Sequence, residues 1–183
     1  MNTHLHLLEA YTNLYRHLRS REIRESLEGL LDVFLNHIIR PDGTSLYTFM
    51  DMDWTPKSGE ISYGHDIETS WLLMEAAEEL PRYAGKVDVE QAAVRLARSV
   101  LANGVDNDGG LVNEADPKGW HDTDKDYWPQ AEAVVGFFNA FEHTGDSLFL
   151  EAAAKTWKFA RENLIDHSNG EWWDKVDRSG KPY

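Results

Sequence analysis

Three strongly apolar helical segments recur about 60 residues apart in this chain, each opened by a short polar lead-in. The lead-ins are Asn2–His6, His65–Glu68 and Trp128–Glu132, and each apolar helix is followed by a second, more amphipathic one. One such helix pair cannot bury its own apolar surface, so pairs in series must stack side by side, as a solenoid or a toroid. Helices one, three and five read as apolar nearly all round, most clearly at Leu72-Leu73-Met74 and Val134-Val135-Gly136-Phe137-Phe138. They are expected to form an inner layer, with the half-polar helices two, four and six outside. If the inner helices run parallel, His6, His65 and Trp128 share one rim.

The pattern predicts helix one from the first residues, on Leu5, Leu8, Tyr11, Leu14 and Tyr15. It begins with no turn or cap before it, which suggests a piece of something larger. Helix two is expected over 21–39, stopped by Pro41-Asp42-Gly43. Ser45–Trp54 reads as strand-like, and Ser62-Tyr63-Gly64 as a turn leading into helix three over 66–80. Helix four is expected over 88–102, followed by a loop at Asp106–Gly110, an extended Leu111–Glu114 and a polar segment Ala115–Asp126. Pro129 suits the first turn of helix five, where its missing donor would be unpaired anyway. Helix six runs over 147–164, and Glu171–Tyr183 reads as a β-hairpin. All 183 residues are expected to form one domain, residues 1–183.

Composition narrows the function. The formal charge is −14, from 32 acidic and 18 basic residues. Such a surface repels phosphate backbones and anionic lipid, so neither nucleic acid nor membrane is an expected partner. No run approaches the ~18 apolar residues of a membrane span. The opening residues lack the basic start and apolar stretch of a signal peptide. The absence of cysteine excludes disulfides, a thiol nucleophile and thiolate metal ligation, and fits a cytoplasmic protein. Seven Trp, seven Tyr and seven Phe are many for this length, and some are expected to line a groove.

The most informative stretch is Ser62–Leu73, Ser-Tyr-Gly-His-Asp-Ile-Glu-Thr-Ser-Trp-Leu-Leu. His65 and Glu68 are three apart and share a face of the helix. An imidazole beside a carboxylate at the mouth of a buried helix suits proton transfer near neutral pH. The same pair also reads as a capping histidine and a solvated glutamate. His65-Asp66-Ile67-Glu68 lacks the second histidine of a zinc-protease helix, and Asp106–Gly110 lacks the terminal glutamate of a calcium loop. No metal site is expected.

Taken together, Asn2-Thr3-His4-Leu5-His6-Leu7-Leu8-Glu9-Ala10-Tyr11, Ser62–Leu73 and Trp128-Pro129-Gln130-Ala131-Glu132-Ala133 resemble the N-acylglucosamine 2-epimerase superfamily, and within it cellobiose 2-epimerases. The order and separation of all three motifs match. The resemblance implies an all-α fold, an αα-hairpin toroid, of which this chain would be about half: three helix pairs of an (α/α)6 barrel, with short β-hairpin loops. It implies inversion at C2 of the reducing-end aldose of a cellobiose-type disaccharide, by proton abstraction and an enediolate. No cofactor is needed in principle.

By resemblance, His65 is one of two catalytic bases. Glu68 bonds a sugar hydroxyl or orients His65, Asn2 and His6 contact the reacting end and assist ring opening, and Trp128 stacks on the sugar. His4 is read as structural. The resemblance also places an active-site arginine before Met1 and a second catalytic histidine after Tyr183. The chain is therefore expected to be an incomplete fragment with little activity alone, completed as a homodimer or by a complementing half-barrel chain. The alternative is a non-catalytic carbohydrate-binding or interaction module presenting Trp54, Trp128 and Trp173.

Overall fold

The structure, a computed structural model, describes residues 1–83 and 87–183. Among these residues the helices are α1 (Asn2–Leu18), α2 (Arg21–Val33), α3 (Tyr63–Glu79), α4 (Val87–Asn103), α5 (Tyr127–Thr144) and α6 (Ser147–Asn163). Local chemistry explains their ends. Ser20 caps α2 by accepting the Ile23 N–H at 3.2 Å. Asp146 does the same for α6 through Leu148 N–H, and Gly145 closes α5 in the left-handed conformation. The α2 stripe Leu27, Leu31, Phe34 and Ile38 is wholly buried. Its last turn, Phe34–Ile38, widens into a π-helix where an unbroken α-helix over 21–39 was expected.

The helices pair as α1–α2, α3–α4 and α5–α6, and α3 packs between α1 and α5. This is an arc of three αα-hairpins with one inner helix per hairpin, as the repeat predicts. Only α3 is enclosed as an inner helix should be, with polar Asp66, Thr69 and Ser70 buried beside Leu72, Leu73 and Ala76. The apolar residues of α1 lie on more than one face, and only one face is covered. The helix buries Leu5, Leu8, Thr12 and Tyr15 and leaves Leu7, Leu14 and Leu18 exposed. On α5, Val135 and Phe138 are exposed likewise.

The seam between α3 and α5 is close. A Cβ on Gly136 would lie 2.6 Å from Ile67 Cγ1 and 2.9 Å from the Ile67 carbonyl oxygen. The absence of a side chain at Gly136 is what lets α5 settle on α3, with Phe137 and Ala140 filling the core beside it.

Short strands gather where α3 and α5 begin. β1 (Ile61–Ser62) runs straight into α3 and pairs antiparallel with β2 (Glu114–Asp116), which pairs with β3 (Gly119–Asp122). β4 (Lys125–Asp126) runs into α5 and pairs with β7 (Lys175–Val176), while β5 (Ile165–Asp166) pairs with β6 (Glu171–Trp172). Three expectations fail here. Ser45–Trp54 makes isolated bridges only, Ile39 with Leu46 and Met50 with Pro56. The polar segment Ala115–Asp126 holds most of the β2–β3 hairpin and β4. The tail is not one hairpin, since β6 and β7 pair with different, earlier strands.

An ion cluster around the buried Lys125 and Asp106 pins this end. Lys125, fully buried, donates to Asp108 at 2.6 Å, sits 3.4 Å from Asp106 and lies over the Phe159 ring. Arg178 closes the cluster with two hydrogen bonds to Asp106. The Asp106–Gly110 segment is thus an ion-pair hub as well as the expected turn. Just after it, the Gln130 amide of α5 accepts the Leu111 N–H and donates to the Leu111 carbonyl.

Replacing Gly136 with Ala is expected to destabilise the fold by about 1–3 kcal/mol, through overpacking against Ile67. The same change at Gly29 in α2, where a Cβ meets nothing within 4 Å, should instead stabilise by up to about 1 kcal/mol. Urea unfolding of the two variants checks the contrast.

Candidate active site

The turn read at Ser62-Tyr63-Gly64 is in fact the end of β1 and the first turn of α3, which begins at Tyr63. The shift matters because it places Gly64 under Trp128. A Cβ at Gly64 would fall 2.6 Å from the Trp128 ring and 3.1 Å from Pro129. The indole can therefore lie against the start of α3, where it meets the His65 imidazole at 4.9 Å between centroids, tilted 57°. The other nitrogen-bearing edge of His65 is engaged from behind, with Nδ1 2.8 Å from the Ser62 hydroxyl.

Glu68 lies one turn along α3 and is 8 % exposed. Glu132, one turn beyond Trp128 on α5, accepts a hydrogen bond of 2.9 Å from the Trp71 indole N–H. His6 sits on the exposed face of α1, 3.6 Å from Glu9. Its charge, when present, acts on both His65 and Glu132, and Glu9 acts on both Glu68 and Glu132. The structure thus gathers His6, His65, Glu68 and Trp128 at the rim where the first turns of α1, α3 and α5 converge. Asn2 is exposed one turn before His6 on the same helix. His4 does not join them: it packs against Trp54, which also stacks on His37 at 4.8 Å. That fits the structural reading of His4.

Glu132 and Trp71 belong to the same constellation, although neither was singled out from the sequence. The signal was spacing: Trp71 follows Glu68 by three residues, and Glu132 follows Trp128 by four, so both fall on the faces that present the rim residues.

Burial dominates the electrostatics. It pushes His65 down to about 4, with the charges of His6 and the N-terminus adding to the effect. It pushes Glu68 up to about 8, with Glu132 and Glu9 adding like-charge repulsion. Glu132 is raised as well, chiefly by burial, against the hydrogen bond from Trp71. One cause therefore drives the two groups apart: at neutral pH His65 is neutral and can take a proton, while Glu68 is protonated and can give one. Below the rim, Asp66 is fully buried; one carboxylate oxygen accepts the Leu46 N–H at 2.9 Å, and burial raises the group to about 8 against that bond and the charge of Arg40. Leu46 in turn accepts from Arg40, which also donates to the Glu60 carbonyl, so Asp66 ties the 40–60 segment to the start of α3.

The family model of N-acylglucosamine 2-epimerase (GlcNAc 2-epimerase) matches residues 1–183, and the chain belongs to that family. The cellobiose 2-epimerase of Bacteroides fragilis is 40% identical over 181 residues, covering 98% of this chain and 46% of that protein. That of Dictyoglomus turgidum is 36% identical, covering 100% and 46%. Among solved structures, the cellobiose 2-epimerase from Bacillus thermoamylovorans superposes with a TM-score of 0.94 at 36% identity, over 100% of this chain and 47% of that one. The chain spans about half the length of the curated relatives it matches, and its fold is about half of an (α/α)6 barrel. Among the described residues, no helix is long and apolar enough to cross a membrane.

The raised carboxyls fix a pH dependence. Asp66 and Glu68 are protonated in the fold up to about pH 8 and ionise near pH 4 when unfolded. The stability they contribute is complete below about pH 4 and is lost as pH rises towards 8. Asp106 works in the opposite sense below about pH 4, because Arg178 holds it well under the usual carboxylate range. Asp66→Asn keeps an oxygen for Leu46 N–H and removes the charge. It is expected to flatten the fall in stability between pH 4 and 8, as measured by denaturant unfolding across that range.

Proposed function

We propose that this chain supplies one wall of a sugar 2-epimerase site, acting on the reducing-end aldose of a cellobiose-type disaccharide, and that residues 1–183 form a single partial-barrel domain. The reading rests on the meeting of His65 with Trp128 beside Glu68. In the open-chain aldose the C1 carbonyl acidifies the C2 proton. Neutral His65 takes that proton from one face of the sugar, leaving an enediolate. Glu68, protonated at neutral pH, donates a hydrogen bond to a sugar oxygen as charge develops there. Trp128 carries the apolar face of a sugar ring and excludes water from it. Asn2 and His6 stand at the reacting end, where ring opening needs a proton moved between O5 and the anomeric hydroxyl.

Inversion also needs a proton delivered to the opposite face of C2, and that second base is expected from a complementing half-barrel or a partner chain. The exposed Leu7, Leu14 and Leu18 of α1 and Val135 and Phe138 of α5 are the flanks such a partner would cover. A second reading, a carbohydrate-binding module without turnover, draws on the same indole, since Trp128 is held beside His65 by its packing on Gly64.

Proton NMR in deuterated water, with cellobiose, lactose or mannose, separates the two. The chain alone should give little epimer. Mixed with the part of the Bacteroides fragilis relative that these 183 residues do not match, it should exchange deuterium into C2, and His65→Ala should slow this by about 100-fold or more. Saturable binding that is lost in Trp128→Ala, with no exchange even in the mixture, would favour the module. Exchange that persists in His65→Ala would overturn the assignment of the base.

A further inference from the structure

We propose that Ser62 is a positioning residue for His65, its hydroxyl oxygen accepting Nδ1–H and so holding the neutral imidazole in the tautomer whose free lone pair is on Nε2. The inference rests on the reading of His65 as a base, and it concerns which of its two nitrogens does the work.

Ser62 precedes the first residue of α3, the position where a serine ordinarily turns its oxygen onto the N–H groups of the first turn. Among the described residues it makes no such cap bond. Its hydroxyl lies instead 2.8 Å from His65 Nδ1, three residues on. The serine is buried and its backbone is fixed by the pairing of β1 with β2, opposite Glu114, so the hydroxyl is held in place from outside the helix. A cap residue that forgoes its cap for a side-chain ring marks a geometry set by something other than helix stability.

The direction of the bond follows from the proton cycle. If Ser62 donated to Nδ1, the ring proton would sit on Nε2 and the outward edge would have no lone pair to offer. The hydroxyl would then have to turn round each time His65 became an imidazolium, because both nitrogens are donors in that state. If Ser62 accepts from Nδ1–H, the same bond serves the neutral and the protonated ring without rearrangement. The oxygen has the capacity to accept, since no helix N–H claims it. With Nδ1 turned back towards β1, Nε2 lies on the opposite edge of the ring, and among the described residues nothing bonds to it. Fixing a tautomer through the second nitrogen is a general device for imidazole bases.

Long-range proton–nitrogen correlation spectra of the histidine-labelled chain at neutral pH test this without any turnover, with His65→Gln used to assign the signal. The expected result is a protonated, pyrrole-type Nδ1 and an unprotonated, pyridine-type Nε2. Ser62→Ala should lose the Nδ1–H resonance and shift the ring towards the Nε2–H form, while Ser62→Thr restores it. An Nε2–H tautomer in the native chain would overturn the proposal, as would an unchanged tautomer in a folded Ser62→Ala variant. Because the tautomer is read in the native chain, with His65→Gln used only for assignment, misfolding of Ser62→Ala cannot hide the answer. A missing C2 exchange would defeat the epimerase reading and leave this result standing or falling by itself.

Discussion

Two glycines govern how close α5 comes to α3, and the candidate site exists because they allow it. Gly136 admits Ile67 against the α5 backbone, and Gly64 admits the Trp128 indole against the first turn of α3. Both contacts lie below the separation that a β-carbon tolerates, so the seam is set by the lack of side chains. A methyl group at either end would open it. At the Gly64 end the indole would leave His65, and the wall on which a sugar could lie would be lost.

Burial at the start of α3 also takes His65 and Glu68 out of water. Excluding water penalises whichever form of a group is charged, which lowers an imidazole and raises a carboxyl. A single reason thus leaves Glu68 protonated at neutral pH, where a free carboxyl would be ionised, and holds His65 more completely neutral than a free imidazole. Asp66 shows the same cause acting where no sugar could reach. Its neutral carboxyl serves architecture, holding the 40–60 segment on α3. Adjacent residues in the chain, His65 and Asp66, therefore divide chemistry and scaffolding between them.

The helix pairs and the rim were legible in the sequence because both depend on local spacing. His65 and Glu68 share a face by helical arithmetic, and the repeat of apolar segments orders the hairpins. What was not legible depended on distant partners. Ser62-Tyr63-Gly64 looks like a turn, and Gly64 is helical with a reason that lies on α5, in Trp128. The strands near the tail pair with Ile165–Asp166 and Lys125–Asp126 rather than with each other, which no local pattern reveals. The stack of Trp54 on His37, with its positive φ of 68°, joins two segments that no local pattern connects. Glu132 and Trp71 were in plain view within the motifs, but their bond to one another spans two helices.

In a stack of hairpins, each unit contacts only its neighbours, so the resistance of a unit to local opening depends on how many flanks are covered. Here α3 is flanked on both sides, whereas α1 has a neighbour on one. The rim is accordingly built across a gradient. His65 and Glu68 stand on the helix whose amides should exchange most slowly with solvent, and Asn2 and His6 stand on one that can fray at little expense. A substrate held between them would order the loose side against the rigid one. Part of its binding energy would thereby become protection of α1, spread well beyond the residues it touches.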